Sequence, residues 1–157
     1  NIGHILQFFG FMVAAAGLLM VVRQMTFAAR QRQIEAIADL YRRCFTDADV
    51  LDIYYEIEYD TFEYDANFPR SDKEKKLDKL LFLYNNIAKL YLLNNYRLED
   101  LEIIAYNYLV VFQNENVKGY LNWLDGQWLE QRGIQAKPFD AFRTVGKIIE
   151  ERWYQRV

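Results

Sequence analysis

No formally charged side chain occurs between Asn1 and Val22, and within Ile5–Val22 only Gln7 is polar. A helix rises about 1.5 Å per residue, so this run spans roughly 27 Å, close to the hydrocarbon thickness of a bilayer. A helix apolar on every side has few places to hide in a small soluble domain. The reading that follows is a transmembrane helix over residues 1–24. Arg23 closes the apolar run, and Arg30, Arg32, Arg42 and Arg43 come after it. That bias places the C-terminal side in the cytoplasm of a single-pass, bacterial-type inner-membrane protein. A cleaved signal peptide fits less well, because its positive charges would precede the apolar run and a small-x-small cleavage site would follow. A buried core helix is the plainer alternative. The chain opens on Asn1, which leaves room for further residues, a second span among them, upstream.

The span carries a finer pattern. Gly3, Gln7, Gly10, Ala14 and Gly17 recur at steps of four and three, which places them on one helix face. Small residues let helix backbones approach in lipid, and an intramembrane Gln is best satisfied by a partner that shares its hydrogen bonds. The expectation is self-association, or packing against another membrane protein; the plainer reading is that Gly and Ala are common in spans. Arg23, Arg30 and Arg32 lie where anionic lipid headgroups would meet them.

The remainder reads as all-α. Only 7 Gly and 2 Pro interrupt 157 residues, too few punctuators for a many-stranded sandwich or barrel. A juxtamembrane helix is expected over 25–46, followed by a cytosolic helical bundle over 47–157. Thr46 and Asp49 suggest a helix start leading into Asp47–Asp65. Asn67–Asp72 with Pro69 is a loop, and Ser71 with Glu74 is a capping box opening a helix over Asp72–Leu93. Asn94–Asn95 turns the chain. Further helices are expected over Leu98–Phe112, over Val117–Gln131 with Gly133 as its C-terminal cap, and from Pro138 in a first turn through Trp153.

Between Asp47 and Asp65 stand eight acids and no Lys or Arg. Asp52 belongs to this acidic stretch, and Glu56, Asp60 and Glu63 would share a face if the helix ran its whole length. Three readings compete: a solvated face, a carboxylate metal site, and a face that docks on a basic surface. Helical di-metal sites add a Glu-x-x-His pair, and His4 is the chain's single His, so no metal is expected. The docking reading is preferred, with the basic surface supplied by the Lys73–Lys79 region or by a partner protein.

Enzymatic chemistry has little to stand on. Ser71 is the single serine and suits a cap, Cys44 lacks a cytosolic His to activate it, and no phosphate-binding loop or nucleophile elbow occurs. No catalytic residue and no cofactor is expected. A net charge of −3 offers no basic surplus for sequence-specific nucleic-acid binding. Tyr120, Trp123, Trp128, Phe139, Phe142 and Trp153 admit two readings. They close the end of a bundle, or they line a ligand pocket in which Arg132, Lys137, Arg143 or Lys147 meets a phosphate.

The stretches LFLYNNIAKLYLLNNYRLEDL (Leu81–Leu101), NVKGYLNWL (Asn116–Leu124) and PFDAF (Pro138–Phe142) resemble a bacterial domain-of-unknown-function family. Its members are small membrane proteins with one N-terminal span and a Tyr- and acid-rich helical cytosolic domain. By analogy of shape they are similar to membrane effectors of anti-phage defence. The resemblance implies a non-enzymatic effector subunit that perturbs the inner membrane when released or clustered. Two alternatives accompany it: an adaptor or receptor subunit of a heteromeric complex, and a cyclic-nucleotide-gated effector.

Overall fold

A computed structural model describes residues 2–93, 96–133 and 137–154. Every regular element among them is helical. The chain divides into two units, Asn1–Ala38 and Asp39–Val157.

The first unit is most of one helix, α1 (Ile2–Cys44). Nothing in its interior would break a helix: it contains no Pro, and its Gly residues stand singly. The expected transmembrane and juxtamembrane segments are therefore continuous in one helix.

The second unit opens with the last turns of α1 and then holds five further α-helices. These are α2 (Ala48–Glu58), α3 (Asp72–Leu93), α4 (Glu102–Gln113), α5 (Glu115–Arg132) and α6 (Asp140–Tyr154). The unit begins at Asp39, earlier than the expected Asp47, because the end of α1 packs into it. The Tyr41 hydroxyl donates to Asn107 Oδ1 at 3.2 Å, and Phe45 meets the Tyr54 ring edge-on at 5.8 Å. Within the unit α6 packs chiefly on α3 and α4, and α2 on the same two helices; α5 leans on α4.

Apolar positions at three- and four-residue spacing supply the core. Leu77, Leu80, Leu81, Tyr84, Ile87 and Ala88 of α3 are buried, as are Ile104, Ala105, Tyr108 and Val111 of α4. Tyr84, Tyr108 and Phe142 form an aromatic centre, with Tyr108 5.0 Å from each of the other two rings. Such a core holds its rings by area buried and by edge or offset packing. Tyr108 keeps its hydroxyl satisfied by donating to the Phe142 carbonyl at 2.9 Å.

Several boundaries differ from the sequence expectation. The N-cap of α2 is Asp47, whose carboxylate accepts from the N–H groups of Asp49 and Val50, while the Thr46 hydroxyl turns back to the Arg43 carbonyl. α2 stops at Glu58 instead of Asp65. Asp60 adopts a left-handed conformation (φ 56°), its N–H bonds to the Ile57 carbonyl, and the Thr61 N–H reaches the Glu56 carbonyl at 2.8 Å. This is a Schellman stop without glycine, and it sends Phe62 into the core. Leu98–Leu101 forms a 3-10 turn ahead of α4. α5 begins at Glu115, capped by the Asn114 side chain, and ends at Gly133 with φ 61°. Pro138 precedes α6 instead of starting it, since Phe139 takes φ 57°. α3 has the bounds expected, with the Glu74 N–H donating to Ser71 Oγ at 3.1 Å and the Glu74 carboxylate accepting from the Arg70 N–H. The expected Asn94–Asn95 turn lies outside the described residues.

Candidate functional site

Two surfaces carry the residues singled out from the sequence. The first is α1 itself. Every described side chain from Gly10 through Arg32 is exposed, with Phe11 at 79% and Leu19 at 71%. Large apolar side chains left open to this extent on one helix have no partner within their unit, and a run of them marks a surface that another protein or a membrane can cover. The helix is long and apolar enough to cross a membrane.

The small-residue face is equally open. A Cβ added at Gly10 or Gly17 would meet nothing within 4 Å. Gln7 and Ala14 are exposed on the same helix, and Gly3 lies in α1 with nothing further described around it. Arg23 and Arg32 are exposed as well, as is Arg30. Met20, Gln24 and Phe27 lie next to Arg23 along the same exposed helix.

The second surface is the acidic stretch, and here the sequence expectation divides. Asp49, Asp52 and Glu56 stand on one face of α2, and Lys79, Lys76 and Lys73 stand opposite on α3. Lys79 Nζ is 2.6 Å from Asp49, Lys76 Nζ bonds the Asp52 carboxylate, and Lys73 Nζ is 2.7 Å from Glu56. The numbers run in opposite senses because the two helices are antiparallel. Of the two basic surfaces considered, the chain's own Lys73–Lys79 segment is thus the one that receives Asp52 and Glu56. The hydrogen bond from Lys79 holds the Asp49 carboxyl below the usual carboxylate range, and Asp49 in turn raises Lys79.

Asp60 and Glu63 do not join that face. The helix has ended at Glu58, Asp60 occupies its left-handed stop, and Glu63 is exposed in the loop beyond. The spacing that would align Glu56, Asp60 and Glu63 therefore never operates. Among the described residues no three of His, Cys, Asp and Glu gather as metal ligands do.

The aromatic residues that the ligand-pocket reading gathers are divided among several places. Tyr120 is buried beside Phe68, with ring centres 5.2 Å apart, and stacks on Trp123 at 5.8 Å. Phe142 belongs to the Tyr84–Tyr108 centre. Trp153 is 39% exposed and lies near Leu98 and Arg152. These rings close the bundle instead of lining a cavity together. Beneath them the Tyr120 hydroxyl lies 2.8 Å from Asp78 Oδ1 and 3.1 Å from Glu74 Oε1. Burial pushes the Asp78 carboxyl above its usual range, against the Tyr120 hydrogen bond. A single phenolic proton serves one carboxylate at a time.

Of the cations expected to meet a phosphate, Arg143 is committed elsewhere. Its two terminal nitrogens each lie 2.7 Å from an Asp125 oxygen, and one also donates to the Leu121 carbonyl at 3.1 Å. This bidentate pair ties α6 to α5, and the sequence reading missed it, although Asp125 is the one acid within the helical stretch 116–129. The Arg132 side chain lies outside what is described. Lys137 and Lys147 are exposed.

No family model matches this chain, and neither a curated protein nor a solved structure shows significant similarity to it. The resemblance drawn from Leu81–Leu101, Asn116–Leu124 and Pro138–Phe142 thus rests on those stretches themselves.

Proposed function

We propose that the chain is a non-enzymatic effector anchored in a bacterial-type inner membrane by α1, with its second unit in the cytoplasm. In this reading it belongs to an anti-phage defence system, and release or clustering lets neighbouring copies of α1 assemble and disturb the bilayer. The observation that carries the membrane part is the uncovered apolar surface of Gly10–Val22, beside which nothing in the first unit is packed. The arginines that follow favour the cytoplasmic side for the second unit. The open Gly10–Gly17 face with Gln7 on it supports assembly through α1. Ser71, the single serine, is engaged as the cap of α3, which supports a structural role for it.

The test is expression of the full chain with crosslinking in intact membranes. A homo-oligomeric ladder and growth arrest are expected, and both should weaken in Gln7→Leu and Gly10→Leu. Growth arrest undiminished in both variants would count against assembly through this face. Capture of one heterologous protein in place of the ladder would instead favour the adaptor reading, in which α1 packs on another protein's helices.

A further inference from the structure

α5 and α6 both rest on α4, and away from the Arg143–Asp125 tie they stand apart. The open groove between them encloses about 590 Å³, within the range of ~300–1,000 Å³ typical of small-molecule sites. Its apolar floor is Leu121, with Phe112 and Ile148 beside it. Lys118, Lys137 and Lys147 stand around the rim with the guanidinium of Arg143. Arg143 is neutralised by Asp125, and Lys118 pairs with the highly exposed Glu115. Lys137 and Lys147 have no salt bridge among the described residues. A chain whose net charge is −3 thus concentrates lysines around one concave apolar surface.

A further observation narrows the chemistry. Asp140, Asn122 and Thr144 add an acid, an amide and a hydroxyl to the same rim, so a ligand there meets hydrogen-bond acceptors as well as cations.

From this we infer that the α5–α6 groove binds a phosphate ester of nucleotide size. Lys137 and Lys147 would take the phosphate, the Leu121 floor the apolar ring, and Asp140 a hydroxyl or amine donor. Lysines suit phosphate as mobile point charges, and the Asp140 acceptor suits a body carrying donors better than an acyl chain. The groove lies within the second unit, so the inference stands whether or not α1 enters a membrane.

Anisotropy of a fluorescently labelled ATP analogue, titrated with the full chain in neutral detergent, tests it. Saturable binding is expected. Lys137→Glu and Lys147→Glu should each weaken it about tenfold or more, while Lys89→Glu, the same charge change on exposed α3 surface, should leave it within about twofold. Displacement by unlabelled ATP identifies a soluble nucleotide. Displacement only by phosphatidylglycerol doped into the micelles identifies a lipid phosphate ester as the source of the same chemistry. Displacement by inorganic phosphate as effectively as by ATP would remove the role of the apolar floor. No saturation up to about 1 mM, or equal loss in Lys89→Glu, would overturn the assignment.

Discussion

Asn85 is the buried polar residue of the described core, 6% exposed on the inner face of α3. Its Oδ1 accepts the Phe142 N–H at 3.1 Å, one of the first-turn donors of α6 that find no acceptor within their own helix. The Tyr108 hydroxyl donates to the carbonyl of the same residue. Both backbone groups of Phe142 are therefore held by side chains of other helices, and this fixes where α6 begins. Asn85→Ala should leave the Phe142 N–H buried and unpaired, at a cost of about 1–3 kcal/mol, read as a lower urea midpoint. Asn85→Leu should not recover the loss, because volume is not what the site lacks. A midpoint unchanged in Asn85→Ala would mean that another group or water takes the N–H. The sequence shows Asn85 only as half of an Asn-Asn pair midway along α3, and its partner lies 57 positions away, a distance that no local pattern reports.

At the level of elements, α3 was legible from its apolar spacing and its Ser71–Glu74 cap, and the end of α5 from Gly133. Both ends are written in residue types that favour those conformations. The end of α2 was not legible, because its left-handed stop is taken by Asp60. Asp tolerates that conformation without announcing it as Gly does. The consequence reaches the acidic face: Asp49, Asp52 and Glu56 remain on α2 to meet α3, while Asp60 and Glu63 leave it. Asp49 is lowered by Lys79, so its contribution is complete above the ordinary carboxylate range and is lost as pH falls through its lowered value. Lys76 and Lys79 are raised by their carboxylate partners, so their contribution is complete below the ordinary Lys range and is lost as pH rises past it. Asp78 acts in the opposite sense: raised by burial, its ionisation lowers stability as pH climbs through the acid range. Lys76→Glu should lower the urea midpoint near neutral pH, and adding Asp52→Lys in the same chain should restore it. Both effects should shrink at high salt, as they do for exposed ion pairs. A double variant no better than the single one would show that Lys76 and Asp52 are not coupled.

For the whole molecule, the structure divides between Ala38 and Asp39, with the described side chains from Gly10 through Arg32 exposed in the first unit and an apolar core buried in the second. What the sequence could not show was the open α5–α6 groove, since it depends on how far apart two helices stand once both have packed on α4. The apolar helix was legible because a bilayer, unlike a partner surface, imposes a requirement of length and uniform composition that needs no knowledge of the remaining fold. That requirement supplies its own test. Ala14 falls near the middle of the uncharged run, and Leu18 lies one helical turn nearer its end. An Arg at a span centre costs about 2.5–3.5 kcal/mol of insertion free energy, so Ala14→Arg combined with Leu18→Arg should exceed what the remaining Leu, Val, Met and Phe residues gain from lipid. The unaltered chain should stay in the pellet after alkaline extraction of membranes, and the double variant should move to the supernatant or be degraded. The second unit should be unaffected, because neither residue belongs to it, and the full double variant in detergent should keep the urea midpoint of the unaltered chain. If the unaltered full chain stays in the supernatant without detergent, as a stable monomer, α1 is covered by something other than lipid, and the proposed effector mechanism fails with it.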